Sequence, residues 1–271
     1  DFMRYILLFI AIFTFSCKYN ISSPVGTIKD YSANSGKLFY TSSGDSDDNI
    51  ETTLKKNKHS LGIYKIVVLG GDSTEILTNI KKVLNKNLSF DNVEIDLSQT
   101  EIPEIPKEMF TNTTNLGKIT LPDTVKKIEE SAFSGCSSLS YIRFSGSLTN
   151  IGTNAFSNCS ALTVLLLPDG LTTIEKCAFS GCSSLVNLFL PKSLTKIDND
   201  AFKNCSQLKN LEYLGTKSDC SKLDNCQPFS SGSNLSNLYL PSMDGTSTNI
   251  IDSNFLGRSW TTTNYGKHIP N

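Results

Sequence analysis

The chain has 271 residues, 38% of them hydrophobic, enough for a sizeable core in one or two domains. Its 25 basic and 26 acidic residues nearly cancel to a formal net charge of -1, and Lys and Arg are dispersed, which argues against a nucleic-acid binder. The only two histidines, His59 and His268, lie in flanking segments, which leaves little room for His-based catalysis or a His-rich metal site.

The N-terminus reads as an address. Met3 and Arg4 precede an apolar run from Ile6 to Phe15, followed by Ser16-Cys17. The run is shorter than the ~20 residues of a membrane span and has the order of a secretory signal: basic start, apolar middle, small residue before the cut. A Cys directly after the small residue resembles a bacterial lipoprotein signal. That resemblance implies that Cys17 is lipidated and becomes the mature N-terminus, with each buried CH₂ adding ~0.8 kcal/mol of membrane affinity. Thr14 stands where the lipoprotein pattern prefers Leu, so an ordinary signal peptide with a chance Cys is the alternative. Residues 1–17 are therefore expected to be a signal peptide. Residues 18–60, polar and poor in large apolar side chains, are expected to be a disordered linker holding a folded body off the membrane.

A strand-helix cap is expected over 61–91. "IYKIVVL" (Ile63 to Leu69) reads as a strand. "GGDST" follows as a turn in which Asp72, Ser73 or Thr74 can cap a helix. The next stretch places Ile76, Leu77, Ile80, Val83 and Leu84 on one helical face. Gly70-Gly71 lacks the Lys-Ser/Thr of a P-loop and the spacing of GxGxxG, so it is taken as a tight turn.

From Asn92 the chain repeats. Copies beginning at Leu116, Leu139, Leu162 and Leu185 follow LxxIxLPxxLxxIxxxAFxxCxx at a strict interval of 23 residues. A partial copy precedes them, with Thr113 in place of the Cys, and looser copies start at Leu208 and Leu235. A period of this size predicts a solenoid over 92–248, with atypical terminal coils. "LxxIxL" is a short strand that Pro ends in most copies, and successive strands pair in parallel ~4.8 Å apart. A second apolar pair, such as Leu171 and Ile174, turns the chain back. Phe255, Leu256, Trp260 and Tyr265 predict an irregular C-terminal cap over 249–271.

Cys136, Cys159, Cys182 and Cys205 occupy one position in four stacked coils. Parallel side chains in a row supply neither the facing vectors of a disulfide nor the convergence of a zinc site, so buried free thiols are expected. Cys220 and Cys226 break the period and are candidates for a disulfide loop in an exported protein, which leaves Cys177 unpaired. No GxSxG, HExxH or DxDxDG occurs. No catalytic residue, metal site or cofactor is expected.

The four AFxxC copies in register resemble the BspA-like leucine-rich repeat family. The resemblance implies an α/β-type solenoid, a leucine-rich repeat with a parallel β-sheet. It also implies an exported protein, anchored at the cell surface, on the outer membrane or its periplasmic face, that binds a host or extracellular-matrix protein. A structural or self-associating envelope protein is the alternative function, and an enzyme with an unrecognised site a third.

Side chains alternate along a strand, so the residues flanking the central Ile point outward. The position before it carries Glu94, Lys118, Tyr141, Val164, Asn187, Asn210 and Asn237. The position after it carries Asp96, Thr120, Arg143, Leu166, Phe189, Glu212 and Tyr239. Tyr141, Val164, Leu166 and Phe189 are expected to form one apolar patch with Arg143 beside it, and Tyr239 extends the candidate ligand-binding set. A terminal segment folded over this face, or a neighbouring molecule, is the competing expectation.

Overall fold

The computed structural model describes residues 40–270, apart from 43, 72–73, 221–222, 224–226, 230–231, 233, 244–254 and 258–259. Among the described residues, fifteen strands fall into three parallel sheets of five. The first contains β1 (Thr41–Ser42), β2 (Lys65–Leu69), β3 (Val93–Gln99), β5 (Leu116–Thr120) and β7 (Tyr141–Arg143) in that spatial order. The second stacks the two-residue strands β4 (Glu104–Ile105), β6 (Lys127–Ile128), β8 (Asn150–Ile151), β10 (Thr173–Ile174) and β12 (Lys196–Ile197). The third contains β9 (Val164–Leu166), β11 (Asn187–Leu190), β13 (Asn210–Tyr213), β14 (Asn237–Leu240) and β15 (Thr262–Tyr265). The expected solenoid is thus present, with one consensus strand per coil.

The interior is a set of ladders, one per consensus position. Ile105, Ile128, Ile151, Ile174 and Ile197 stand in register along the second sheet, all buried. Phe110, Phe133, Phe156, Phe179, Phe202 and Phe229 form a continuous stack with centroids 5.0–5.4 Å apart. That spacing lies in the favourable range for aromatic pairs, each contributing roughly 0.5–1.5 kcal/mol beyond its buried area. Beside the stack, the amides of Phe110, Phe133, Phe156 and Phe179 donate to the carbonyls of Ala132, Ala155, Ala178 and Ala201 at 2.6–2.8 Å. These bonds satisfy the backbone where no strand runs.

A second periodicity lies just before each Cys. Asn112, Gly135, Asn158, Gly181, Asn204 and Gly232 alternate along the solenoid, all with positive φ. A Cβ at Gly135 or Gly181 would land on the Oδ1 of Asn112 or Asn158 in the coil before. Each Asn amide therefore lies over the glycine of the next coil, and the true structural period here is two coils. A further left-handed position recurs at Ser131, Asn154, Cys177 and Asp200, with φ between 55 and 63.

Three expectations require correction. The polar stretch assigned to a disordered linker over 18–60 contains a helix, α1 (Asp47–Leu61). Ile50, Thr53, Leu54 and Asn57 form its buried stripe, Asp47, Asp48, Lys58 and His59 suit the helix dipole, and Gly62 closes it in the left-handed conformation with its N–H on Lys58 O. Asn57 Nδ2 donates to Lys65 O at 2.7 Å, which ties α1 to β2. The helix α2 (Glu75–Lys86) buries the five residues expected, and Thr74 is its N-cap without a side-chain cap bond. Second, the C-terminal cap is not wholly irregular: β15 extends the third sheet in parallel to β14. Phe255 and Leu256 are buried, and Trp260 and Tyr265 pack on the core. Third, the first ladder of strands is not continuous. β7 ends the first sheet and β9 begins the third, with no pairing between them, while β8 and β10 of the same two coils are paired.

Candidate functional site: the outer face of the strand ladder

Two of the expected outward rows are in register in the structure. Val164, Asn187, Asn210, Asn237 and Thr262 form one row of the third sheet. Leu166, Phe189, Glu212, Tyr239 and Asn264 form the other. In the first sheet Glu94, Lys118 and Tyr141 align, as do Asp96, Thr120 and Arg143.

The apolar patch sits where the two sheets meet. Val164 is 51% exposed, Leu166 59% and Tyr141 36%, three of the five exposed large hydrophobic residues among those described. Phe189 is half-buried beside Leu166, its register partner, and Tyr239 is half-buried two strands further on. Partial burial pushes the Tyr141 phenol up from its ordinary value, against the opposing pull of Arg143 and Lys118. Arg143 is anchored by Nη1 to Leu121 O at 3.2 Å and Nη2 to Asp123 Oδ1 at 3.3 Å. Tyr141 and Arg143 thus lie beside the patch on the other sheet, and Val164, Leu166 and Phe189 form its body.

Two features of this face were not legible in the alternation. The row asparagines are joined amide to amide: Asn237 Nδ2 donates to Asn210 Oδ1 and Asn210 Nδ2 to Asn187 Oδ1, both at 2.8 Å. Among the described residues Asn187 Nδ2, the last donor of this row and next to Val164, has no acceptor. The second feature is Glu212. It occupies an outward position yet is only 3% exposed, because the C-terminal residues cross the face there. His268 Nδ1 lies 2.6 Å from Glu212 Oε1, and Ile269 N donates to Oε2 at 2.8 Å. The competing expectation, a terminal segment over this face, therefore holds locally at Glu212, while Val164 and Leu166 stay open.

The periodic cysteines are free and buried, as expected. Each thiol also has a donor role. Cys136, Cys159, Cys182 and Cys205 direct Sγ to the carbonyls of Phe110, Phe133, Phe156 and Phe179 in the coil before, at 3.0–3.3 Å. Burial pushes the Cys136 and Cys205 thiols up to about 12 and raises Cys159 and Cys182 well above the ordinary range. Such thiols are not nucleophiles. Cys177 is free and half-buried. Cys17, Cys226 and the side chain of Cys220 lie outside the described residues. Among the described residues no three His, Cys, Asp or Glu side chains cluster as metal ligands, and no helix is long and apolar enough to cross a membrane.

Comparison with known proteins adds a family. A leucine-rich repeat protein of T. pallidum is 25% identical over 64% of this chain and 72% of its own, with a TM-score of 0.44. One from Bacteroides ovatus is 24% identical over 63% of this chain and 45% of its own, with a TM-score of 0.42, so the chain spans less than half of that protein. A leucine rich cell surface protein of Faecalibacterium prausnitzii is 17% identical over 91% of this chain and 96% of its own, with a TM-score of 0.22. No curated protein matches the sequence. The BspA type leucine rich repeat region matches in six copies over residues 103–227 and 161–270. That region takes in well over half of the sequence and the whole Phe-Cys ladder, and the chain belongs to the BspA-type leucine-rich repeat family.

Proposed function

We propose that this is a non-catalytic, lipid-anchored cell-surface protein that binds another protein, in the setting of a host an adhesive one, through the outer face of its strand ladder. The observation that carries this reading is the exposure of Tyr141, Val164 and Leu166, large apolar residues at outward strand positions of two successive coils. Solvent-facing apolar surface of this kind costs solubility and marks an interaction site. Tyr141, Phe189 and Arg143 add the residue types enriched at the energetic centres of interfaces. The match to a family with a cell-surface relative supports the location. Cys17 at the end of the apolar run supports a lipid anchor, and mass spectrometry of the mature N-terminus tests it: an unmodified terminus elsewhere contradicts the anchor.

The binding reading is tested by the double variant Tyr141→Ala with Phe189→Ala against a panel of purified extracellular-matrix proteins. A partner of the parent protein is expected to lose at least about tenfold in affinity with the variant, as for hot-spot truncation. Unchanged affinity with an intact circular-dichroism spectrum moves the site off this face. Concentration-dependent self-association that the same variant abolishes favours the envelope-protein reading instead.

A further inference from the structure

Resting on that reading of the face, we infer that the partner is an uncharged, aliphatic-rich segment of polypeptide, held by apolar contact and a side-chain amide rather than by charge. The open part of the third sheet carries no exposed formal charge in either row. Val164, Leu166, Asn187 and Phe189 are neutral, and Glu212, the one ionisable carboxylate in these rows, is buried under His268 and Ile269. The C-terminal segment therefore does more than cap the solenoid: it covers the one carboxylate of these rows.

The patch itself selects among neutral ligands. Its two most exposed members, Val164 and Leu166, are aliphatic, and its aromatic Phe189 is half-buried. Aliphatic side chains gain from covering aliphatic surface at about 25 cal/mol per Å². A glycan needs several open aromatic platforms and many polar groups; here Tyr141 at the edge is the single exposed aromatic among the described residues, and Phe189 is half-buried. Asn187 Nδ2, unpaired among the described residues and adjacent to Val164, supplies a donor for one carbonyl of a bound chain. Its orientation is fixed from behind by the bonds to Asn210 and Asn237.

The test pans a random twelve-residue peptide library on the purified full chain, then measures enriched peptides against Leu166→Asp, Lys118→Glu and His268→Ala. The expected peptides have no net charge and several aliphatic residues, and their affinity is flat from about 0.05 to about 0.5 M salt. They lose at least about tenfold with Leu166→Asp and are unaffected by Lys118→Glu. They weaken with His268→Ala, which uncovers Glu212. Charged peptides, or salt-sensitive ones, that still need Leu166 overturn the neutral partner and leave the binding face standing. Neutral peptides that bind Leu166→Asp unchanged place the contact elsewhere and overturn both. A library that enriches nothing overturns the neutral-peptide inference. A dimer that Leu166→Asp dissociates identifies a second copy as the occupant and overturns it as well.

Discussion

The two halves of the strand ladder share an interior and differ outside. Between β3 and β7 the outer rows carry charge held in pairs: Lys118 Nζ sits 2.6 Å from Glu94, and Arg143 bonds Asp123. Between β9 and β15 the same rows are aliphatic, aromatic and amide, apart from Thr262 and the buried Glu212. The change falls at the one place where the ladder is unpaired, between β7 and β9. Beneath it the phenylalanine stack, the thiol-carbonyl bonds and the second sheet pass through without interruption. The lesson is a division of labour within one repeat. Inward positions are repeated because every coil must bury the same row. Outward positions are free of that constraint and can differ from coil to coil.

The largest effect expected is on the seam itself. Phe156 stacks on Phe133 at 5.0 Å and Phe179 at 5.1 Å and meets Phe144 edge-on at 5.8 Å. Phe156→Ala is expected to cost about 3–5 kcal/mol, because the rigid stack cannot collapse onto the cavity. Chemical denaturation measures it. Two separate transitions in the variant would show that the halves are distinct folding units joined at this ring; a loss under about 1 kcal/mol would deny the stack its role.

The thiol ladder sharpens the other side of the comparison, the sameness of the interiors. Cys136→Ser and Cys205→Ser lie in opposite halves, and each is expected to cost about 1–3 kcal/mol by burying a hydroxyl in a site shaped for sulfur. Thr113, which stands in this position in the first coil, illustrates the difficulty: it is buried and its Oγ1 has no partner among the described residues. Markedly unequal costs would mean that the interiors differ as well as the faces. Alkaline titration probes the same row. Burial raises the folded thiols from 9.0 to about 12 at Cys136 and Cys205, so between those values the unfolded chain gives up protons that the folded chain keeps. Their stability contribution is complete below about pH 9 and is lost as pH rises toward 12, by at most about 1.4 kcal/mol per pH unit for each thiol. Cys136→Val is expected to flatten the slope in urea titrations; an unchanged slope would contradict the burial.

The smallest effect is local to the second half. Cys177 has φ 55 where the equivalent coils place Asn154 and Asp200. Cys lacks the local hydrogen bonds that make this conformation tolerable. Cys177→Asn is expected to raise stability by about 0.5–1 kcal/mol, read from the denaturation midpoint. A loss would mean that the half-buried thiol contributes packing that outweighs the backbone.

These elements also mark what a single sequence discloses. The Phe-Cys row was legible because repetition turns one packing position into four observations of it. The second sheet was not, since strands as short as Lys127–Ile128 carry no alternation to detect. The helix Asp47–Leu61 was hidden because half of its buried stripe is polar, Thr53 and Asn57 beside Ile50 and Leu54. At the candidate site, Val164, Leu166 and Phe189 followed from strand alternation. The clasp of His268 on Glu212 did not, because 56 residues separate the two and only the folded C-terminal segment brings them together. The asparagine row was visible as three residues, but its linked amides arise only when strands stack at hydrogen-bonding distance.

The central claim, that binding belongs to the neutral half of the face with the Tyr141 edge beside it and not to the paired charges of β3 and β5, is tested most directly by a matched pair of surface variants. Affinity for one partner, whether a matrix protein or a selected peptide, is measured by titration calorimetry with Leu166→Asp and with Lys118→Glu, two exposed positions whose replacement leaves the interior ladders intact. A loss of at least about tenfold for Leu166→Asp and less than about twofold for Lys118→Glu is predicted. An equal or greater loss for Lys118→Glu, or full affinity in Leu166→Asp, would contradict it.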